Sequence, residues 1–157
     1  MRVTWSWQRF DALTVNDLYD VLRLRQEVFI LEQRSRYADI DGQDPTAWHL
    51  MGHANDGRLA AYMRVFPASE SIAESTMGRF VVAPWARGNG LAREMMAHGL
   101  RWASSHAPSA PIRISAQCYL KGFYEGFGFV VIGGSYDDAG VDHVDMILTA
   151  PKESSAP

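Results

Sequence analysis

The chain is short of several things, and each shortage closes a class of explanation. Cys118 is the single cysteine in 157 residues, so no internal disulfide can form, which suits a reducing, cytoplasmic setting. No apolar run approaches the roughly 20 residues of a membrane-spanning helix. The opening stretch, Met1-Arg2-Val3-Thr4-Trp5-Ser6-Trp7, alternates like a strand and has no apolar segment of a secretory signal. Basic charge is in deficit, with 15 Lys and Arg against 18 Asp and Glu and a net charge of −3. The tryptophans are dispersed and not interleaved with cations, so neither nucleic acid nor a membrane is an expected partner. The histidines, at 49, 53, 98, 106 and 143, are scattered, with no spacing that suggests a metal site. There are no repeats, and no linker is long enough to separate domains.

What is present suits one domain with a real core: 47% of the residues are apolar and 21% charged. Residues 2–9 read as a strand. Thr14 reads as an N-cap, with Asp17 completing a capping-box variant. Val15, Leu18, Val21, Leu22, Leu24, Val28, Phe29 and Leu31 then follow at helical spacings. A loop rich in Asp, Gly and Pro spans 37–45. Residues 48–54 and 58–66 read as a hairpin around Asn55-Asp56-Gly57, and 69–75 as a polar loop. Further on, 112–116 reads as a strand and 120–127 as a helix closed by Gly128. Residues 129–132 and 143–149 read as strands flanking a Gly/Asp-rich turn. The domain is expected to occupy 1–150 and the tail, 151–157, to be frayed. The order β-α-β-β-β-α-β-α-β-β predicts a mixed, mostly antiparallel sheet with helices on it.

The most informative stretch runs from Met77 to Met96. An apolar run through Phe80, Val81 and Val82 stops at Pro84; a turn carries Arg87, Gly88, Asn89 and Gly90; a helical pattern begins at Leu91 and Ala92 and reaches about His106. Strand, glycine turn and helix N-terminus together present backbone N–H groups beside the positive end of a helix, a physical anion site. No Gly-Lys-Ser/Thr follows, so the loop is not a Walker A loop. Arg93 stands where a dinucleotide fingerprint needs its third glycine. Alone, the stretch is equally an ordinary glycine turn entering a helix.

A second stretch, Gln117-Cys118-Tyr119-Leu120-Lys121-Gly122-Phe123-Tyr124-Glu125-Gly126-Phe127-Gly128-Phe129, follows the next strand. With it, the chain resembles the GNAT superfamily, the Gcn5-related N-acetyltransferases. Arg87-x-x-Gly90-x-Ala92 resembles that family's pyrophosphate loop, and Phe123-Tyr124-x-x-x-Gly128-Phe129 its second signature. Arg25-x-x-Val28-Phe29-x-x-Glu32-Gln33, Asp39-Ile40-Asp41-Gly42 and His143-Val144-Asp145-Met146 are similar to the ElaA-like branch. The resemblance covers residues 3–149. Two positions depart from the commonest pattern: Asn89 stands where Arg or Lys is frequent, and Ala92 where Gly is.

The resemblance implies a single-domain α/β (α+β) GNAT fold, its sheet splayed at a wedge that binds acetyl-CoA as co-substrate, with no metal. It implies that the pantetheine arm pairs with the backbone of Phe80, Val81 and Val82. The pyrophosphate would lie on the N–H groups of Gly88, Asn89, Gly90, Leu91 and Ala92 beside Arg87, with Gln117 and Leu120 further along the cofactor. A Cβ in the turn would hold phosphates off the backbone. Tyr124 would be the general acid, since a phenol of pKa about 10 can protonate a thiolate whose conjugate acid is near 8.5. Glu32 and His143 are the candidates for general base, with a water chain as the alternative. A backbone N–H near Val81 or Val82 would stabilise the oxyanion.

Tyr37, Asp39, Asp41 and His49 are candidates to line a cleft for a cationic acceptor, the alternative being an Asp-rich surface turn. Arg64 and Arg79 read as partners of nearby carboxylates. Phe123 reads as core, and Cys118 as a small packed residue, having no dyad partner. The expected activity is direct transfer of acetyl to a primary amine of a small molecule or peptide. The alternative is a non-catalytic acyl-CoA-sensing module of the same fold. Exposed edge strands are compatible with a homodimer.

Overall fold

The computed structural model describes residues 1–149, so the tail at 151–157 lies outside the described residues. The chain clusters into two compact units. The first is Met1–Phe66 with Met77–Leu100; the second is Pro67–Thr76 with the chain from Arg101 on. The elements follow the expected order: β1 (Val3–Arg9), α1 (Val15–Arg25), β2 (Trp48–Ala54), β3 (Leu59–Phe66), β4 (Ser75–Val82), α2 (Leu91–His106), β5 (Ile112–Gln117), α3 (Lys121–Glu125), β6 (Val130–Asp138) and β7 (Val141–Leu148).

In the first unit the strand order is β1-β2-β3-β4, with β1–β2 and β2–β3 antiparallel. The β2–β3 turn closes with Gly57 at φ +84°, the Ala54 N–H donating to the Arg58 carbonyl and the Gly57 N–H to the Ala54 carbonyl. Seven of the eight β3 residues are buried, because both faces are covered. On one face Ala60 and Tyr62 join Val21, Leu24, Val28 and Phe29 in the core. On the other, Met63 lies so close to α2 that a Cβ on Gly99 would come within 2.8 Å of its methyl.

α1 begins as its cap residues dictate: the Asp17 N–H donates to Thr14 Oγ1 and the Thr14 N–H to the Asp17 carboxylate. The continuous apolar periodicity predicts one helix to Leu31. Instead α1 passes at Gln26 into a π-helical segment, Gln26–Glu32. The Gln33 N–H reaches Val28 C=O at 2.8 Å and the Ser35 N–H reaches Phe29 C=O at 3.0 Å. The wider turn keeps Val28 and Phe29 buried while Arg34, at φ +56°, ends the segment.

In the second unit the order is β5-β7-β6, both pairings antiparallel. The region read as a Gly/Asp-rich turn is mostly strand. β6 continues through an irregularity between Ile132 and Tyr136, where Gly133 sits at φ +72°, so the Gly pair serves as a bulge and not as a chain reversal. The reversal comes at Ala139 and Gly140, both at positive φ. α3 is shorter than expected, since Cys118–Leu120 forms a 3₁₀ turn ahead of it. Gly128, at φ +95°, ends the region as expected. Phe123 is only half-buried, edge-on to Phe127 and Tyr124, because α3 has a single turn with which to face the core.

The loop after the π-helical segment is locked to α1 and to the first unit's sheet by three arginines. Arg25, with none of its surface exposed, donates from Nε to Asp39 Oδ2 (2.9 Å), from Nη1 to Asp44 Oδ1 (2.8 Å) and from Nη2 to the Asp39 carbonyl (2.7 Å). Arg64 donates to Asp44 (2.9 Å) and with both terminal nitrogens to Asp41. Arg79 Nε lies 2.7 Å from Asp39 Oδ1, with an N–H too poorly aligned for a good hydrogen bond, and its Nη2 donates to the Asp39 carbonyl. His49 extends the cluster. Its Nε2 faces the Asp44 carbonyl, which can only accept, so Nε2 carries the proton and Nδ1 accepts from Tyr62 O–H at 2.7 Å. Asp39, Asp44 and His49 are buried. The segment is therefore neither a solvated surface turn nor, at these residues, an open acceptor lining. Arg64 and Arg79 are partners of carboxylates, as expected.

The hydrogen bond from Arg64 holds Asp41 far below the usual carboxylate range, against the opposing effect of burial. Burial works to raise Asp44, but the bonds and charges of Arg25 and Arg64 outweigh it and leave it lowered. Burial lowers His49. All three bind protons less readily folded than unfolded, so each contributes stability that is lost as pH falls. The loss begins with His49 near pH 6.5 and steepens below about pH 4 as the carboxylates follow. Unfolding by urea, followed by tryptophan fluorescence across this range, should show that two-stage decline. Asp44→Asn, which strips a charge from between two buried guanidiniums, should cost about 3–5 kcal/mol at pH 7 and flatten the acid limb.

Candidate active site

β4 is not a regular strand. Arg79 sits at φ +52° between Gly78 and Phe80, a left-handed conformation costing a non-glycine residue about 1–2 kcal/mol. Its side chain is fixed by Asp39, by Asp41 at 3.4 Å, and by the face of Tyr37 4.8 Å away. The strain is held by the buried charge cluster. Beyond the kink Val81 is buried, while Phe80 and Val82 are half-exposed. The strand ends where the Ala83 N–H donates to the Ala60 carbonyl at 2.8 Å.

The glycine turn follows. Pro84–Ala86 makes one 3₁₀ turn, closed by the Ala86 N–H on the Ala83 carbonyl. Ala86 and Leu91 are buried with Val81 and Ala83 against Val21, Leu24, Val28 and Phe29, which seats the loop at both ends. Between them Arg87, Gly88, Asn89 and Gly90 are exposed. Gly88 and Gly90 both have φ of +78°, and a Cβ on either would meet nothing within 4 Å. Within the protein, glycine is thus required by conformation and not by crowding. The Gly90 carbonyl accepts from the Arg93 and Glu94 N–H groups, so α2 starts there. The Leu91 and Ala92 N–H groups, in its first turn, have no acceptor within the helix. Asn89 donates from Nδ2 to the Ala86 and Arg87 carbonyls, each at 3.1 Å. Where a cation is frequent in the resembling family, this side chain braces the loop.

Two residues expected in different roles meet here. Glu32 accepts from Arg87 Nη2 through both oxygens, at 2.9 and 3.1 Å, and Arg87 Nε points to the Val82 carbonyl at 3.4 Å. Beside the turn, a cleft of about 310 Å³ is lined by Asp20, Arg23, Glu27, Asp56, Arg58 and Trp85, with the Arg58 guanidinium 3.8 Å over the Trp85 ring. Its walls mix these charged groups with Leu24, Leu59 and Ala83.

The second unit holds the other expected residues. Gln117, half-buried, ends β5 and faces His143 across the ladder. Leu120 is half-buried in the 3₁₀ turn. Tyr124 is 7% exposed, edge-on to Phe129. Burial, with a smaller push from Tyr119, raises its phenol to about 12, so it holds its proton throughout the physiological range. His143 is buried, its Nδ1 2.7 Å from the Val141 carbonyl. A carbonyl only accepts, so Nδ1 carries a hydrogen, and in the neutral ring the acceptor nitrogen is Nε2. One polar cluster was missed by sequence reading: Tyr136 O–H donates to Asp145 at 2.6 Å while its oxygen accepts from the Ser115 hydroxyl at 2.5 Å, Arg113 donates to Asp145 at 3.1 Å, and the Tyr136 ring lies nearly parallel to His143. Alternation places Asp145 on the face of His143, but Tyr136 was hidden in the supposed turn.

Among the described residues, no group of three or more His, Cys, Asp or Glu is placed to hold a metal ion, and no helix is long and apolar enough to cross a membrane.

Comparison with known proteins agrees with this arrangement. A UPF0039 protein of Synechocystis is 39% identical over 151 residues, covering 96% of this chain and 98% of its own. The crystal structure of Escherichia coli ElaA aligns with a TM-score of 0.85 at 34% identity, over 93% of this chain and 99% of that one. An acyl-CoA N-acyltransferase from Pseudomonas aeruginosa aligns with a TM-score of 0.87 at 33% identity, with the same coverage, and the α/β fold is that of these two structures. The family profile described as "Acetyltransferase (GNAT) domain" matches residues 25–150, and the chain belongs to that family, in its ElaA-like branch.

Proposed function

We propose that the protein transfers an acetyl group from acetyl-CoA directly to a primary amine. Its family makes it an acyltransferase with acyl-CoA as co-substrate. The observation that carries the finer reading is the kinked β4 running into a glycine turn at the start of α2. That arrangement offers an extended backbone for amide pairing and, next to it, helix-end N–H groups for an anion. Phe80, Val81 and Val82 pair with the pantetheine arm. Residues 88–92 carry the diphosphate on their N–H groups, and Gln117 and Leu120 complete the cofactor contacts. The catalytic domain corresponds to residues 1–150.

In the reaction the amine nitrogen attacks the thioester carbonyl carbon and gives up a proton to the general base, the carbon–sulfur bond breaks, and sulfur leaves as a thiolate. A backbone N–H at Val81 or Val82 offsets charge on the carbonyl oxygen. Tyr124, protonated throughout the physiological range, gives its proton to the thiolate as the sulfur leaves. Of the two candidate bases, geometry favours His143. The Nδ1–H bond to Val141 makes Nε2 the nitrogen that can take a proton, whereas the Glu32 carboxylate is engaged by Arg87. No side chain is set up as an acyl-accepting nucleophile in this reading, so nothing is stored on the enzyme.

Calorimetry with acetyl-CoA should show binding at micromolar concentrations; no binding at high micromolar concentration removes the reading. Release of free CoA thiol in the presence of an amine panel separates a transferase from a sensor, which would bind and release none. Tyr124→Phe should lower kcat by about a hundredfold with acetyl-CoA affinity kept within about twofold, as expected of a group acting only on the leaving thiolate. Unchanged turnover would remove Tyr124 from its role.

A further inference from the structure

We infer that Glu32 sets the affinity of the phosphate loop by competing with the bound diphosphate for Arg87. The inference rests on the acyl-CoA reading above and adds a determinant of cofactor affinity to it.

Arg87 is the only ionisable side chain between Ala83 and Ala92, so it is the loop's whole side-chain charge. That charge is matched by Glu32, which takes two contacts from Nη2, while Nε is turned to the end of β4. The carboxylate is delivered by a fastened element. Glu32 closes the π-helical segment, whose Val28 and Phe29 are core residues and whose end is tied by the Gln33 and Ser35 N–H groups. As it stands, the loop presents an anion with backbone N–H groups and a helix end, next to a neutralised ion pair.

The exposure of the pair decides whether a ligand can break it. Arg87 and Glu32 side chains are 45% and 44% exposed, so water screens their attraction and either group can be rehydrated when the other leaves. A buried pair such as Arg25–Asp44 could not be opened in this way. A diphosphate on residues 88–92 brings more negative charge than one carboxylate and draws the guanidinium from Glu32, and the Glu32 charge left nearby opposes it. Both effects have the same sign.

The test is calorimetric titration of CoA into the unaltered protein, Glu32→Gln, Arg87→Gln and the double variant at low ionic strength. Glu32→Gln should bind CoA about two- to fivefold more tightly, Arg87→Gln more weakly. The gain from Glu32→Gln should shrink when Arg87 is already Gln, as coupled groups require. Unchanged or weaker binding by Glu32→Gln would overturn the inference, weaker binding meaning that Glu32 orients Arg87 for the ligand. A gain that persists in full without Arg87 would overturn it as well. If the unaltered protein fails to bind CoA, the acyl-CoA reading itself falls, and the inference with it.

Discussion

Three guanidiniums and three carboxylates, most of them shielded from water, are the constraint on which the first unit depends. Arg25 comes from the end of α1, Arg64 from β3 and Arg79 from β4, and all three converge on Asp39, Asp41 and Asp44 in one loop. The charges cancel, and each desolvated ion is compensated only while its partners stay in place. A cluster of this kind adds little net stability over a well-packed apolar replacement, but it is costly to break halfway. It therefore acts as an alignment device. Three elements and the loop must arrive together, and the loop becomes part of the interior despite a composition suited to the surface.

The effect carries along β4 to the candidate site. Arg79 belongs to the charge cluster by its side chain and to the strand by its backbone, and the backbone takes a left-handed turn there. The left-handed backbone and the ion pair to Asp39 thus meet in one residue. From that kink the chain runs three residues to Val82, is tied at Ala83 to β3, and enters the glycine turn whose ends, Ala86 and Leu91, are buried in the same core as α1. The turn is exposed but not loose. Asn89 fastens it from within, trading a side-chain cation for rigidity.

Much of this was legible in the sequence, and the failures have identifiable physical causes. The Thr14 cap, the Asn55-Asp56-Gly57 turn, the start of α2 at Leu91 and the Gly128 stop are local signals, decided by residues within a few positions of one another, and all appear as expected. The π-helical segment was invisible because apolar spacing near four does not distinguish a regular helix from one widened by a single residue. β6 was underestimated because Gly133 and Gly134 are turn residues by local propensity, and only pairing with β7 makes them a bulge. The aspartate loop was misjudged for the most general reason. Whether Asp39 is solvated or buried depends on Arg25 and Arg79, 14 and 40 residues away, and no local pattern reports that.

The same distinction separates the two halves of the candidate reaction. The donor side, as proposed, is built from backbone: an extended strand, two left-handed glycines and the first N–H groups of a helix. Backbone geometry of that kind restricts which residues can occupy a few fixed spacings, so it leaves a motif, and the motif can be read. The base proposed for the acceptor side, His143, instead shares a face with Tyr136 and Asp145, brought together across β5, β7 and β6 by ladder register. Register leaves no fixed spacing, because a bulge anywhere in β6 moves Tyr136 relative to His143 without changing either residue. On the proposed reading, a fold of this type can therefore keep one donor site while the surroundings of its base change through substitutions and bulges in its last two strands.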